Sequence, residues 1–145
     1  MRCIRSAVMD LAFRLVNNVA ASHSVNSLTG YLKALNHKVS KTFVGECLEW
    51  LEDAFFLFPV KIWDASLARQ NVNAKKVYCI DHALVTSVAS GILVNSGHLL
   101  ENLVFLHLRR QTERIHYYRT QSGREVDFIW QYAKGKRHLA QVCEN

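Results

Sequence analysis

Two acidic residues within a largely apolar segment are the side chains of this sequence best placed to do chemistry. Glu125 and Asp127 lie on either side of Val126, in a stretch rich in β-branched and aromatic residues. Alternate side chains of a β-strand point to the same face, so both carboxylates are expected on one side of the strand. A buried carboxylate costs free energy unless a partner compensates it. A hard cation such as magnesium, which is bound by carboxylate oxygens, is one candidate partner.

The elements that would position these acids follow from the spacing of the apolar residues. Leucine and valine residues recur at helical spacing over residues 97–108 and predict a helix that carries Glu101. The apolar segments 115–118 and 126–132 are separated by a glycine-containing turn and predict a β-hairpin. Residues 139–142 predict a third strand. A helix with one acid is therefore followed by three short strands, the middle of which begins with an acid.

Three spaced segments of the chain resemble a known protein family. They are Lys76-Val77-Tyr78-Cys79-Ile80-Asp81-His82-Ala83-Leu84, Gly97-x-Leu99-Leu100-Glu101-Asn102-Leu103-Val104-Phe105, and Tyr117-Tyr118-Arg119 with Glu125-Val126-Asp127-Phe128. Over residues 22–142 the chain resembles the C-terminal region of the prokaryotic AAA+-like P-loop ATPases. In that family a winged helix precedes a DUF4143-like domain of unknown function, which is similar in fold to the PD-(D/E)XK nucleases.

The resemblance implies an α+β fold and a set of site residues. It implies a helical, winged-helix-like part over residues 1–74 and an incomplete nuclease-like domain over residues 75–145. In nucleases of this fold a helical Glu, a strand Asp and a Glu or Gln on the next strand bind a divalent metal. The matching positions are Glu101, Asp127 and Gln141, which are the candidate catalytic and metal-binding residues, with Mg²⁺ or Mn²⁺ as the implied cofactor.

One position departs from the pattern of these nucleases. Their motif carries a lysine that helps to orient the attacking water, and Cys143 stands at that position here. A thiol cannot supply the positive charge of the lysine. The interpretation favoured by this departure is a nuclease-like fold that is kept as a binding or docking platform, not as an enzyme.

Basic residues are the candidates for contact with nucleic acid. Lys38 and Lys41 lie near the start of the third predicted helix, the one that would enter the major groove, but four acids between residues 46 and 53 would repel phosphates. Other basic residues surround the hairpin beside Tyr117 and Tyr118, which suits a nucleic-acid backbone and stacked bases. Solvated turns or cation–π pairs within the protein are the alternative. The candidate nucleic-acid-binding residues are Lys38, Lys41, Arg109, Arg110, Arg119, Lys134 and Lys136.

The N-terminal half is predicted to form helices followed by strands. The predicted helices are 1–19, 24–36, 41–55 and 83–93, and the predicted strands are 56–64 and 77–81. Ser40 is expected to cap the third helix. Residues 65–76 are polar and predict a wing or linker that ends at a domain boundary near residue 75. A helix, a short turn, a second helix and then a strand is the order of a winged helix.

Composition indicates a globular protein. Of 145 residues, 50% are hydrophobic and 21% are charged, and the formal net charge of +6 permits anionic partners without requiring them. Four cysteines without Cys-x-x-Cys spacing predict neither a zinc site nor a disulfide framework. No apolar run is long enough to span a membrane, so the expected location is the cytoplasm and no membrane partner is expected. The sequence also lacks the Gly-x-x-x-x-Gly-Lys-[Ser/Thr] motif, so no ATP site is expected in this chain.

The chain ends where the third core strand of the nuclease-like fold should run, so a truncated fragment with an exposed strand edge is expected. Three functional hypotheses remain open. The leading one is a non-catalytic part of an ATPase-family protein that binds a nucleic acid such as DNA, or a protein partner. The second is a metal-dependent DNA endonuclease that uses Glu101, Asp127 and Gln141. The third is a module that docks on an ATPase domain in another chain or self-associates.

Overall fold

A computed structural model of the protein describes residues 2–88, 95–132 and 135–143. Helices and antiparallel sheets are mixed, which confirms the α+β class. The elements are α1 Arg2–Asn17, β1 Ser22–His23, α2 Val25–Ala34, α3 Lys41–Asp53, β2 Leu57–Val60, α4 Leu67–Val72, β3 Lys75–Cys79, α5 His82–Val88, α6 Ser96–Arg109, β4 Ile115–Arg119, β5 Glu125–Gln131 and β6 Arg137–Ala140. Within these ranges no helix combines the length and the hydropathy needed to cross a membrane.

The first three helices begin and end close to where the sequence predicts. Ser24 and Ser40 accept hydrogen bonds from the backbone N–H groups of Ser27 (3.0 Å) and Phe43 (3.1 Å), as N-caps do. The predicted capping role of Ser40 is confirmed. The apolar faces of α1, α2 and α3 meet in a buried cluster that also contains residues of β2, β3 and α5. The fourth predicted helix is observed as α5 over His82–Val88, and residues 89–94 lie outside the described residues.

The first sheet has the strand order β1-β3-β2, with both pairings antiparallel. The prediction that residues 65–76 form a polar wing or linker is wrong in two respects. Ser66 caps the short helix α4 by accepting from the Arg69 N–H (3.4 Å), and Asp64 accepts a bond from the Arg69 guanidinium (3.0 Å). The last two residues of that segment, both lysines, belong to the central strand β3.

The second sheet has the strand order β4-β5-β6, again antiparallel. Its hairpin turn contains Gly123 at φ +82°, a conformation that a glycine adopts without steric cost. The prediction of a helix followed by three strands is confirmed by α6, β4, β5 and β6. The third strand runs over Arg137–Ala140, so it begins two residues earlier than expected, and Gln141 follows its end.

The two sheets are joined by backbone bonds and by a shared aromatic core. Tyr117 on β4 accepts from the Trp63 N–H (2.6 Å) and donates to the Lys61 carbonyl (3.1 Å), just beyond the end of β2. Phe105 on α6 stacks on Tyr78 of β3 with ring centroids 4.4 Å apart. Phe128 on β5 lies 5.5 Å from the same Tyr78 ring. Residues from both halves of the chain are therefore buried in one hydrophobic cluster.

Candidate functional site

A buried lysine lies at the centre of the predicted acidic site. The Lys76 ammonium donates to Glu101 Oε1 (2.8 Å) and Asp127 Oδ1 (3.0 Å), and its Nζ lies 2.8 Å from Glu125 Oε1. The side chain of Lys76 is only 5% exposed. An ammonium group has three N–H donors, and here three carboxylates surround it.

Three elements bring these residues together. Lys76 is the second residue of β3, the central strand of the first sheet, and Glu101 lies on the buried face of α6. Glu125 and Asp127 project from the same face of β5 towards the ammonium, as strand alternation predicts. The acids thus come from α6 and the second sheet, and the cation comes from the first sheet.

Further donors hold the carboxylates in place. Tyr78 donates its hydroxyl to Glu101 Oε1 (2.7 Å). Asp127 Oδ2 accepts from the Gln141 side-chain amide (2.7 Å) and from the Val142 backbone N–H (2.9 Å). Glu125 Oε2 accepts from the Arg119 guanidinium (2.8 Å). Each of the three acids therefore has a second protein donor besides Lys76.

Asn102, next to Glu101 on α6, fixes the helix to β3. Its side-chain Oδ1 accepts from the Cys79 backbone N–H (2.8 Å), and its Nδ2 donates to the Cys79 carbonyl (3.1 Å). Asn102 is fully buried. This pair of bonds sets the position of α6 along the strand and so places the Glu101 carboxylate opposite Lys76.

The surroundings favour a charged lysine and a neutral tyrosine. Burial disfavours the ammonium form of Lys76, but the bonds to Glu101, Glu125 and Asp127 outweigh burial and raise the pKa of the lysine above its ordinary value. Burial and the nearby Glu101 charge raise the pKa of Tyr78. Tyr78 therefore stays protonated and acts as a hydrogen-bond donor.

Acid is expected to weaken this cluster through Glu125. Burial raises the pKa of its carboxyl group, but the bonds from Lys76 and Arg119 outweigh burial and hold the pKa below its ordinary value of 4.5. The stabilisation is therefore present above that value and is lost as the pH falls through the lower, folded-state pKa. Urea denaturation at a series of acidic pH values should show a smaller loss of stability for Glu125→Gln than for the wild type. The exposed Glu46→Gln is the matched control, and equal pH dependence in all three proteins would contradict the prediction.

The structure brings Glu101, Asp127 and Gln141 together, while their catalytic and metal-binding roles stay predictions. Among the described residues, no group of three or more His, Cys, Asp or Glu side chains is arranged to hold a metal ion. Sequence reasoning missed Lys76 and Tyr78 as members of the site. The available signal was the alternation of Lys76, Val77 and Tyr78 at the start of the predicted strand 77–81, which places Lys76 and Tyr78 on one face if the strand is extended by one residue. Cys143, at the position of the nuclease lysine, is exposed and has a free thiol.

The predicted nucleic-acid-binding residues differ in their surroundings. Arg109 lies over the Phe58 ring (5.4 Å) and forms an ion pair with Glu113 (3.0 Å). Arg119 is held by Glu125, as described above. The side chains of Lys38, Lys41, Arg110 and Lys136 are exposed, and Lys134 lies outside the described residues. Two of the candidates therefore already have partners within the protein.

A second basic and aromatic group lies on the second sheet, and it includes Arg137, one of the basic residues that the sequence places in the turn after the hairpin. The Arg137 guanidinium lies 5.1 Å from the centre of the Trp63 ring, and His116 meets the same ring edge-on at 5.2 Å. Burial and the nearby Lys61 charge lower the pKa of His116, which favours its neutral form. A cation stacked on an indole is thus presented next to exposed Lys136.

The outward face of α3 has the opposite charge. Glu46, Glu49, Trp50 and Asp53 follow the spacing of one helical face, and all four are exposed. The Trp50 side chain is 51% exposed and touches Phe43 edge-on (6.2 Å). Three acids around a large apolar side chain would repel a phosphate backbone.

The fold and the lysine-centred cluster define an α+β protein in which two halves share one core. Residues 6–93, more than half of the chain, match the family described as Domain of unknown function (DUF8612), and the chain belongs to that family. Residues 96–142 match a second family, Domain of unknown function (DUF4143), a domain found in AAA-ATPase-associated proteins. The two matches meet between α5 and α6. The predicted division near residue 75 stays a prediction.

One curated relative is an uncharacterized protein of Methanocaldococcus jannaschii, MJ1544. The two sequences are 32% identical over 133 residues, which cover 89% of this chain. The chain spans 29% of the length of that relative. No solved structure matches the chain.

Proposed function

We propose that this chain is a non-catalytic binding region of an ATPase-associated protein, built from a winged helix and a nuclease-like domain. The observation that carries the proposal is the position of the Lys76 ammonium among Glu101, Glu125 and Asp127. In this proposal the acids of the nuclease-like site hold the first sheet against α6 and the second sheet instead of binding a catalytic metal.

Electrostatics support a structural role for the acids. A divalent cation at the point where the carboxylates converge would lie against an ammonium charge, and like charges at such distances repel strongly away from bulk water. Magnesium also requires nearly octahedral coordination and usually keeps several waters. The residues present therefore do not fit Mg²⁺ or Mn²⁺ while Lys76 stays in place.

The winged-helix assignment is supported by the order α1-β1-α2-α3-β2-α4-β3, in which the short helix α4 separates the last two strands, and by a small antiparallel sheet packed on the first three helices. Its α3 helix is unsuited to reading DNA, because its outward acids would face the phosphates. The exposed cations near Trp63 are better suited. Lys136 and Arg137, at the start of β6, are exposed, and Arg137 already stacks on the Trp63 ring, as in surfaces that bind single-stranded nucleic acid. We therefore place nucleic-acid contact on this side of the second sheet.

Fluorescence anisotropy with labelled single-stranded and duplex DNA at two salt concentrations tests the proposal. We expect salt-dependent binding by the wild type and no Mn²⁺-dependent nicking. Lys136→Gln with Arg137→Gln should weaken binding and lower the salt slope by about one for each phosphate that the protein no longer neutralises. Arg5→Gln with Lys33→Gln, which removes the same charge from exposed sites on α1 and α2, should have little effect.

Two results would contradict the proposal. Mn²⁺-dependent nicking that Asp127→Asn abolishes would show that the acids are catalytic. Absence of binding at low salt by a folded protein would reject the nucleic-acid role. In that case docking on a protein partner, such as an ATPase domain in another chain, is the second candidate, and the exposed face of α3 with Trp50 favours it.

A further inference from the structure

A cleft lies on the opposite face of β3 from the lysine-centred cluster. Consecutive side chains of a strand point to opposite faces, so Lys76 faces the carboxylates and Lys75 faces the cleft. The cleft has a volume of about 450 Å³, and its lining includes Lys61, Asn71 and Lys75 on one side. On α3 it is lined by Glu49 and Glu52. It shares no residue with the carboxylate cluster.

The two lysines of the cleft converge on one asparagine. Lys61 Nζ donates to Asn71 Oδ1 (2.8 Å), and Lys75 Nζ donates to the Asn71 carbonyl (2.9 Å). Neither ammonium forms an ion pair with a carboxylate anywhere in residues 2–88, 95–132 or 135–143. Burial and the neighbouring Lys61 charge lower the pKa of Lys75. Two cations with unused N–H donors are thus held close together with no carboxylate at ion-pair distance, and Glu52 across the cleft acts on Lys61 only at longer range.

We propose that this cleft binds a small organic anion, a carboxylate or a phosphate monoester, between Lys61 and Lys75. The rest of the cleft limits the kind of molecule. Val25, Leu48 and Pro59 provide an apolar lining, and a methyl group at Gly45 would meet no atom within 4 Å, so there is room for an organic body. The two glutamates on α3 would repel a polyanion such as a nucleic-acid backbone.

This cleft shares no lining residue with the proposed nucleic-acid surface, although Lys61 lies close enough to His116 for its charge to act on that ring. A volume of about 450 Å³ is in the range of small-molecule sites, and ligands in such sites are oriented by a few polar groups within an apolar lining. Bonds to charged groups contribute more than neutral ones, so each lysine is expected to contribute strongly to affinity.

The test is a titration of the full ¹⁵N-labelled chain by NMR with phenyl phosphate, benzoate and inorganic phosphate. We expect the NMR signals of the Gly45 and Lys75 amides to shift on addition of phenyl phosphate or benzoate. The ligand that binds more tightly shows whether the site prefers a phosphate or a carboxylate group. Inorganic phosphate, which lacks an apolar body, should bind more weakly. Lys75→Gln and Lys61→Gln should each weaken binding by about tenfold or more, and the exposed Lys33→Gln should not.

Glu49→Gln removes a repulsive charge from an exposed side chain and should tighten phenyl phosphate binding, which keeps the test informative if a lysine variant unfolds. Absence of binding, unchanged binding in both lysine variants, or equal affinity for inorganic phosphate would overturn the proposal. Loss of DNA binding in the lysine variants with phenyl phosphate binding unchanged would also overturn it, because the lysines would then serve the nucleic acid. The results expected with the small anions do not depend on whether the chain binds nucleic acid.

Discussion

Lys76→Met should destabilise the protein by about 3–5 kcal/mol, the loss typical when one member of a buried ion pair is removed. The cause is the charge that remains: Glu101 and Asp127 are each only 9% exposed at their side chains and would lose their common cation. Methionine has a similar length and keeps the packing of the aliphatic stem, so the loss reports mainly on the charge. The free energy of unfolding from urea denaturation at neutral pH measures it.

Two further variants make this result specific to the cluster. Lys38→Met at an exposed position is the matched control and should change stability little. The double variant Lys76→Met with Asp127→Asn should lose less free energy of unfolding than the sum of the two single losses. The reason is that the asparagine leaves one fewer unpaired buried charge when the lysine is absent. A loss for Lys76→Met no larger than that of the control would mean that the cluster contributes little to stability.

Asn102→Ala is the second substitution with a large expected effect. It removes both side-chain bonds to Cys79 and leaves the backbone N–H and carbonyl of that residue without these partners at a fully buried position. The expected cost is about 1–3 kcal/mol for each group left unpaired. Asn26→Ala, at an exposed site on α2, is the control and should be neutral or slightly stabilising.

Hydrogen exchange gives the Asn102 prediction a local readout. The Cys79 amide should exchange faster in Asn102→Ala than global unfolding alone explains, since its acceptor is removed. Unchanged relative protection of that amide would show that another group satisfies it, and the assigned role of Asn102 in fixing α6 to β3 would then be wrong.

Local patterns were sufficient to predict the C-terminal part of the fold. The helix α6 follows from apolar spacing, and the β4–β5 hairpin follows from two apolar segments around a glycine turn. That Glu125 and Asp127 lie on one face follows from strand alternation alone. In the structure both carboxylates contact Lys76 from that face.

The centre of the site could not be predicted in this way, because its contacts are distant in sequence. Lys76 bonds to Glu101 and Asp127, which are 25 and 51 positions away along the chain. Asn102 bonds to Cys79, which is 23 positions away. From composition alone, a pair of lysines after a polar segment is typical of a solvated loop. Pairing with β1 and β2 overrides that local preference and buries Lys76 in a central strand.

The neighbouring lysines of β3 also determine how this strand can pair. A shift of one residue that moved Lys75 to the carboxylates would supply a cation but would put Val77 in the place of Tyr78. Glu101 would then lose its phenol donor and Phe105 its stacking partner. A shift in the other direction would place Val77 opposite three carboxylates. A slip in either direction is therefore penalised, so the buried charges select a single register for β3 as well as stabilising it.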